Sequence, residues 1–188
     1  MRVYVIRHGQ SETNVEKRYT GWSQVNLTQQ GIEEAIRIRP LLEGVKFDKI
    51  FSSDLYRAMQ TAESAIPGCT YETSPLIREV GMGSLELQPI DDVIADMRAK
   101  NTKELGYAMY GGESSEEFTQ RVAQFREQLE SLDCETVAVF THWGWMKNFL
   151  QQVLKVKIAN ENIVGKNCAV AIFEYDRTNW KLHSFINQ

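Results

Sequence analysis

Three cysteines, three histidines and four prolines in 188 residues are few enough that each can be accounted for. Cys69, Cys134 and Cys168 are odd in number, widely spaced and never arranged as C-x-x-C. That pattern argues against a disulfide framework or a cysteine zinc site, and suggests a reducing compartment. No cysteine is followed by arginine six positions later, so a Cys-x5-Arg phosphate loop is missing. Walker A, Asp-x-Asp and His-x-x-x-His spacings are missing too. P-loop and metal-dependent chemistry are therefore poorly supported, and neither a metal nor a cofactor is expected. Long apolar runs are also lacking. The N-terminal run Val3-Tyr4-Val5-Ile6 is interrupted at Arg7, too early for a signal peptide or a membrane span. Positive charge is not in excess: 21 Lys and Arg face 25 Asp and Glu, a net charge of −4. A cytoplasmic chain without a nucleic-acid or membrane partner is expected, although a local basic pocket could still take a small anion.

What is present, 43% hydrophobic and 24% charged residues, describes one ordinary globular domain over residues 1–188. Val3 to Ile6 has the length and β-branched content of a buried strand. Thr28 caps a helix carrying Ile32, Ala35, Ile36 and Ile38, and Pro40 should kink or end it. Residues 47–52 read as a second strand, followed by a helix from about Leu55 to Ala65 that Pro67-Gly68 stops. Residues 71–77 are weakly extended and 80–88 are loop. Ile90, Val93, Ile94 and Met97 mark one face of a helix after Pro89, and 101–113 is loop. Ser114-Ser115-Glu116-Glu117 is a capping box for a helix with Phe118, Val122, Phe125, Leu129 and Leu132 on its apolar face. Thr136 to Phe140 is a third buried strand, with a helix over 144–155. Two last strands, near 168–175 and 179–186, join through Asp176-Arg177-Thr178-Asn179. Strands alternating with helices predict a mostly parallel sheet flanked by helices, a three-layer α/β/α fold with an antiparallel final hairpin.

Three strand ends carry residues that packing explains poorly. The first ends at Arg7-His8, the second leads to Arg57 in the next helix's first turn, and the third ends at Thr141-His142. Parallel strands bring their carboxyl ends to one edge, so Arg7, His8, Arg57 and His142 can converge there. Two of the chain's three histidines fall at these positions, whereas His183, inside the last strand, reads as packing or surface. Two arginines and two histidines around one crevice make an anion site, since guanidinium forks bind phosphate oxygens. The plainer alternative pairs each arginine with an acid such as Glu12 or Asp54.

Arg7-His8-Gly9 with Asn14, then Arg18-Tyr19-Thr20-Gly21-Trp22, Asn26-Leu27-Thr28 and Gly31, resembles the histidine phosphatase superfamily, the phosphoglycerate mutase-like family. Ser52-Ser53-Asp54-Leu55-x-Arg57-Ala58-x-x-Thr61-Ala62 is similar to its second motif. Leu76-Ile77-Arg78-Glu79 is similar to its third, Gly111-Gly112-Glu113-Ser114 to its fourth and Thr141-His142 to its fifth, with Asn167-Cys168 also fitting. The resemblance implies that His8 attacks phosphorus and carries the phosphoryl group. Arg7, Arg57 and His142 would hold the phosphoryl oxygens, and Glu79 would serve as general acid and then base. Asn14, the Thr20-Gly21 backbone and Trp143 would line the phosphate site. It implies a phosphorylated small-molecule substrate and no metal.

The chain departs from the family pattern in three places. Trp143 stands where glycine usually follows the second histidine, with Gly144-Trp145 after it, so two indoles must pack behind the site or narrow its mouth. Gly83-Ser84-Leu85-Glu86-Leu87 replaces the usual Trp-Glu-Gly run, and Gln24-Val25-Asn26 replaces Asp-x-Pro before Leu27-Thr28. Thr20-Gly21-Trp22 is mutase-like. Residues 80–113, the expected substrate-specificity segment, are short and lack the paired arginines of mutases, which favours a phosphatase. Mutase-type transfer and a catalytically idle phospho-ligand module remain the alternatives.

Overall fold

Four consecutive residues of the first strand, Val3 to Ile6, are buried, which only a strand covered on both faces can achieve. The computed structural model describes residues 1–99, 107–159 and 162–187. Its strands are β1 (Arg2–Arg7), β2 (Lys49–Ser52), β3 (Glu72–Thr73), β4 (Thr136–Thr141), β5 (Val170–Tyr175) and β6 (Trp180–Ile186). They form one six-stranded sheet in the order β3-β2-β4-β1-β5-β6. The β1–β4, β2–β4 and β2–β3 pairs are parallel, and β5 is antiparallel to both β1 and β6. The helices are α1 (Glu12–Val15), α2 (Gln29–Arg37), α3 (Arg39–Leu42), α4 (Tyr56–Ala65), α5 (Ile90–Ala99), α6 (Ser115–Ser131) and α7 (Trp143–Leu154).

Side chains alternate across the sheet and build two cores. Val3, Val5, Val137 and Val139 face α6 and α7, where Phe125 meets Trp145 edge-on and Trp145 stacks on Phe149 at 5.1 Å. Tyr4, Ile6, Ala138 and Phe140 face the opposite layer, packing with Ala35, Ile38, Leu42, Ala62 and Ala65 of the α2–α4 layer. Helices thus cover both faces of a mostly parallel sheet, the expected three layers. Among the described residues no helix is long and apolar enough to cross a membrane.

Local chemistry explains the boundaries. Thr28 accepts from the Gly31 N–H at 3.0 Å and opens α2. Proline can neither donate nor tolerate the preceding turn, so α2 stops at Arg37 and α3 restarts with Pro40 in its first turn. The Ser114–Glu117 capping box is formed in both directions. Residues 71–77 are less extended than expected: only Glu72–Thr73 pairs, because Pro75 starts a 3-10 turn over Pro75–Ile77. The loops after β1 and in 80–88 tighten locally into α1 and a 3-10 turn at Gly83–Leu85. On α5 only Val93 is buried, against Met82 and Leu85, so its apolar face is narrower than the sequence spacing suggests. Of the expected 101–113 loop, residues 101–106 lie outside the described residues; Ala108–Tyr110 forms a 3-10 turn. The last two strands join at Asp176, whose side chain accepts from the Thr178 and Asn179 N–H groups. His183 is half-exposed on β6, as a surface reading requires.

One contact fixes the loop after β1. Gly9 and Gly31 let two main chains touch, for a Cβ on Gly9 would strike the Gly31 carbonyl and one on Gly31 the Gln10 main chain. Gly31→Ala is therefore expected to lower stability by about 1–3 kcal/mol in urea denaturation, the range for overpacking. Thr28→Ala, which removes only the cap, should lower it by about 1 kcal/mol and leave the residues near His8 in place.

Candidate active site

The carboxyl ends of β1, β2 and β4 lie side by side, and the predicted residues gather there. Arg7 ends β1, and the backbone of His8 is held from two sides. Its N–H donates to Thr141 at 2.9 Å, and its carbonyl accepts from Cys168 N and Asn167 Nδ2 at 3.2 Å each. The N–H of Gly9 donates to Thr61 Oγ1 on α4 at 3.0 Å, and that hydroxyl in turn donates to the Arg57 carbonyl. The rings of His8 and His142 stand 5.1 Å apart.

The tautomer of His8 follows from one bond. Nδ1 lies 2.7 Å from the Gly9 carbonyl, which can only accept, so Nδ1 carries the proton. The neutral ring then has its lone pair on Nε2. Burial, followed by the Arg57 and Arg7 charges, holds His8 well below the ordinary imidazole range, with the Gly9 bond acting weakly the other way. His142 is fully buried and held well below the range too, first by desolvation and then by Arg57. Its Nε2 shares a 2.9 Å hydrogen bond with Ser53 Oγ.

Neither arginine takes the acidic partner that the plainer alternative requires. Arg57 Nη1 donates to the Ser23 carbonyl at 3.1 Å and Nη2 to that of Gly21 at 2.8 Å. Arg7 Nη1 donates to the Gly165 carbonyl. Asp54 instead pairs with Arg78, and Glu12 accepts from the Asn26 N–H. Burial lowers Arg57 to about 10, with Glu79 and Glu86 opposing it and Arg7 adding to it. Burial lowers Arg7 as well. Among the described residues, the buried side-chain nitrogens without a hydrogen-bond partner are Arg7 Nε, Arg57 Nε, His142 Nδ1 and Arg126 Nε, the last of which lies 3.4 Å from the Glu130 carboxylate. Three of the four belong to this one site. Unsatisfied buried polar atoms are rare, and a cluster of them suits a partner from outside the protein.

Glu79 stands at the rim. Its Oε1 accepts from the Val80 N–H at 2.9 Å and its Oε2 from the Gly144 N–H, in the first turn of α7, at 3.1 Å. A Cβ on residue 144 would strike that carboxylate, so Gly144 permits the approach. The Glu79 carbonyl accepts from Trp22 Nε1 at 2.7 Å and Arg121 Nη2 at 2.9 Å.

The remaining predicted residues are peripheral. Asn14 is exposed, its Oδ1 accepting from Ser11 N at 3.1 Å and Asn167 Nδ2 at 3.3 Å. The Thr20 hydroxyl is shared with Thr13 at 2.6 Å, and Gly21 contributes its carbonyl to Arg57. The indole of Trp143 lies against Gly165 and edge-on to Phe185. Trp145 is wholly buried in the core and donates Nε1 to the Leu76 carbonyl at 2.9 Å. Trp145 therefore packs behind the site, and Trp143 opens α7 with its indole turned onto Gly165. Sequence reasoning gave no role to Ser53, Thr61, the Trp22 indole or Arg121. Arg121 did carry a signal. It lies three residues after Phe118 and four before Phe125, within an apolar helical stripe where an arginine must be paired.

The family model for the histidine phosphatase superfamily, branch 1, matches residues 3–188. The chain belongs to that superfamily. It is 28% identical over 167 residues to an adenosylcobalamin/alpha-ribazole phosphatase of Salmonella typhimurium, covering 85% of this chain and 83% of that one. It is also 28% identical over 189 residues to a Salmonella paratyphi A protein named "Probable phosphoglycerate mutase GpmB", covering 96% and 87%. Among solved structures, the alpha-ribazole phosphatase of Shigella flexneri superposes with a TM-score of 0.86 at 23% identity, covering 100% of this chain and 96% of that one, a likeness of fold.

The buried histidines set a dependence of stability on pH. A histidine whose pKa is depressed by folding takes up protons in the unfolded chain first, so stability is complete above the unfolded value near 6.5 and is lost as pH falls below it. Urea denaturation should show this as a decline of up to about 1.4 kcal/mol per pH unit for each of His8 and His142. In His142→Gln the slope should be shallower. An unchanged slope would mean that His142 titrates normally in the native state.

Proposed function

We propose that the chain is a phosphatase that hydrolyses phosphate monoesters of a small metabolite through a phosphohistidine on His8. The observation that carries this reading is the set of buried nitrogens without a hydrogen-bond partner on Arg7, Arg57 and His142, gathered around a neutral His8 whose Nε2 holds the lone pair. Phosphoryl transfer asks mainly for positioning and charge stabilisation, and donors fixed in a dry site supply both. In the proposed cycle, His8 Nε2 bonds to phosphorus as the ester P–O bond breaks. Glu79 gives its proton to the departing alkoxide. Water then loses a proton to the Glu79 carboxylate, attacks the phosphohistidine and releases inorganic phosphate. Arg7, Arg57 and His142 hold the three transferring oxygens, and the first N–H groups of α7 add a positive helix end. Asn14, Thr20, Gly21 and Trp143 line the entrance, chiefly by orienting main chain.

Residues 80–113 are assigned to substrate choice. Trp22, itself 39% exposed and bonded to Glu79, joins Gly81, Glu86, Glu113 and Glu117 around a cavity of about 320 Å³. Glu86 and Glu117, which take no cationic partner among the described residues, disfavour a leaving group that is itself anionic, which favours hydrolysis of singly phosphorylated neutral metabolites over phosphoglycerate transfer. The relatives named for alpha-ribazole phosphate chemistry fit that class.

Incubation with a labelled phosphate donor should mark one acid-labile, base-stable site. His8→Ala should abolish both label and turnover; label retained with activity intact in that variant would refute the mechanism. Glu79→Gln should lose about 10²–10⁴-fold in kcat/KM toward an alkyl phosphate. Toward p-nitrophenyl phosphate, whose leaving group needs little protonation, the same variant should still phosphorylate in an initial burst and then dephosphorylate slowly. Equal losses on both substrates, without a burst, would transfer the acid–base role to another carboxylate.

A further inference from the structure

Every nitrogen of the Arg121 guanidinium is engaged around the segment that carries Glu79. Nε and Nη2 donate to the two carboxylate oxygens of Glu113 at 2.7 Å each, and both side chains are 12% exposed. Nη1 donates to the carbonyls of Leu76 and Arg78 at 3.0 Å each, and Nη2 also donates to the Glu79 carbonyl at 2.9 Å. Glu113 closes the arrangement. Its Oε2 accepts from the Gly81 N–H at 2.7 Å, and its own N–H donates to the Gly81 carbonyl at 2.8 Å. The run from Leu76 to Gly81 is thus held through its carbonyls by Arg121 and through an N–H by Glu113, with Glu79 at its centre.

Packing α6 on the sheet does not call for this. A buried ion pair loses hydration on both partners, and apolar residues of similar volume are often at least as stabilising. What a planar fork supplies is direction, since its donors leave at fixed angles and meet several acceptors at once. The main chain of Glu79 is the common target of Arg121, at 2.9 Å, and of the Trp22 indole, at 2.7 Å. The carboxylate beyond it is tied to Val80 N and Gly144 N. Such a site tolerates little displacement, and a shift of about 1 Å in a reacting group can lower a rate by about 10²-fold.

We propose that Arg121, oriented by Glu113, is a positioning residue for the acid–base step. It sets the main chain of Glu79 so that the carboxylate meets the leaving oxygen, and it does so without touching substrate. The inference rests on the assignment of Glu79 as acid and base.

Three variants test it. Arg121→Lys keeps the charge and loses the fork. Glu113→Gln keeps the shape and loses the anion. Arg121→Met combined with Glu113→Gln removes both charges, so that neither is left buried alone. For each, kcat/KM toward an alkyl phosphate is divided by kcat/KM toward p-nitrophenyl phosphate, which reports phosphorylation alone, in the same preparation. The ratio of the two is independent of how much of the sample is folded, so partial misfolding does not blur the outcome. The ratio is expected to fall about 10–10²-fold, with the alkyl-phosphate KM and inhibition by orthovanadate changed by less than about twofold. A ratio equal to that of the wild type in all three variants would overturn the inference and reduce the pair to a structural tie. If Glu79→Gln, with Arg121 untouched, leaves the ratio unchanged in an otherwise active enzyme, the assignment of Glu79 fails and this inference falls with it. The two failures are therefore read from different proteins.

Discussion

Two guanidinium groups buried against backbone carbonyls, rather than against carboxylates, govern the chemistry of this molecule. Removing such charges from water is expensive, and carbonyl dipoles compensate only in part. A carboxylate beside Arg7 or Arg57 would be the more stable solution, but it would occupy the donors that the phosphate of the proposed reaction needs. Burial, and after it the same guanidinium charge, holds both histidines well below the ordinary imidazole range, which leaves a lone pair on His8. Stability is held lower than it could be at the one place where binding is required, the usual relation between a functional site and its fold.

The sheet edge was legible because it depends on local signals. Short apolar strands, the Thr28 cap, the Ser114 capping box and Pro40 each act within a few residues, and their consequences for strand order put Arg7, His8, Arg57 and His142 on one side. What was not legible depends on distance in sequence. Whether Arg57 meets an acid or a carbonyl is decided by the path of residues 21–23, 34 to 36 positions earlier. The tautomer of His8 depends on where its own loop turns. The fate of the two indoles depended on space: Trp145 had a core cavity to fill between Phe125 and Phe149, whereas Trp143 was directed onto Gly165. No periodicity in residues 143–145 distinguishes them.

Membership of the superfamily fixes less than the site does. Relatives at similar identity carry names from both phosphatase and mutase chemistry. The shared sheet edge serves either, because holding a transferring phosphoryl group is common to both. The difference lies in what receives that group, and so in the loops around the leaving oxygen. In this chain the loops proposed for that role carry Glu86 and Glu113, are tied to Trp22 and are anchored on α6 through Arg121.

The order of strands also bears on how the molecule comes into being. β1 carries Arg7 and leads into His8, yet its two neighbours in the sheet are β4 and β5, built from residues 136–141 and 170–175. On a ribosome β1 is synthesised well before both strands that pair with it, and its backbone waits for them. Such pairings close long loops and are slow to form. Until they form, an apolar strand remains exposed on the nascent chain, where it is open to chaperones and to aggregation. The end of β1 that carries Arg7 and leads into His8 is thus made long before the neighbours that hold it in place.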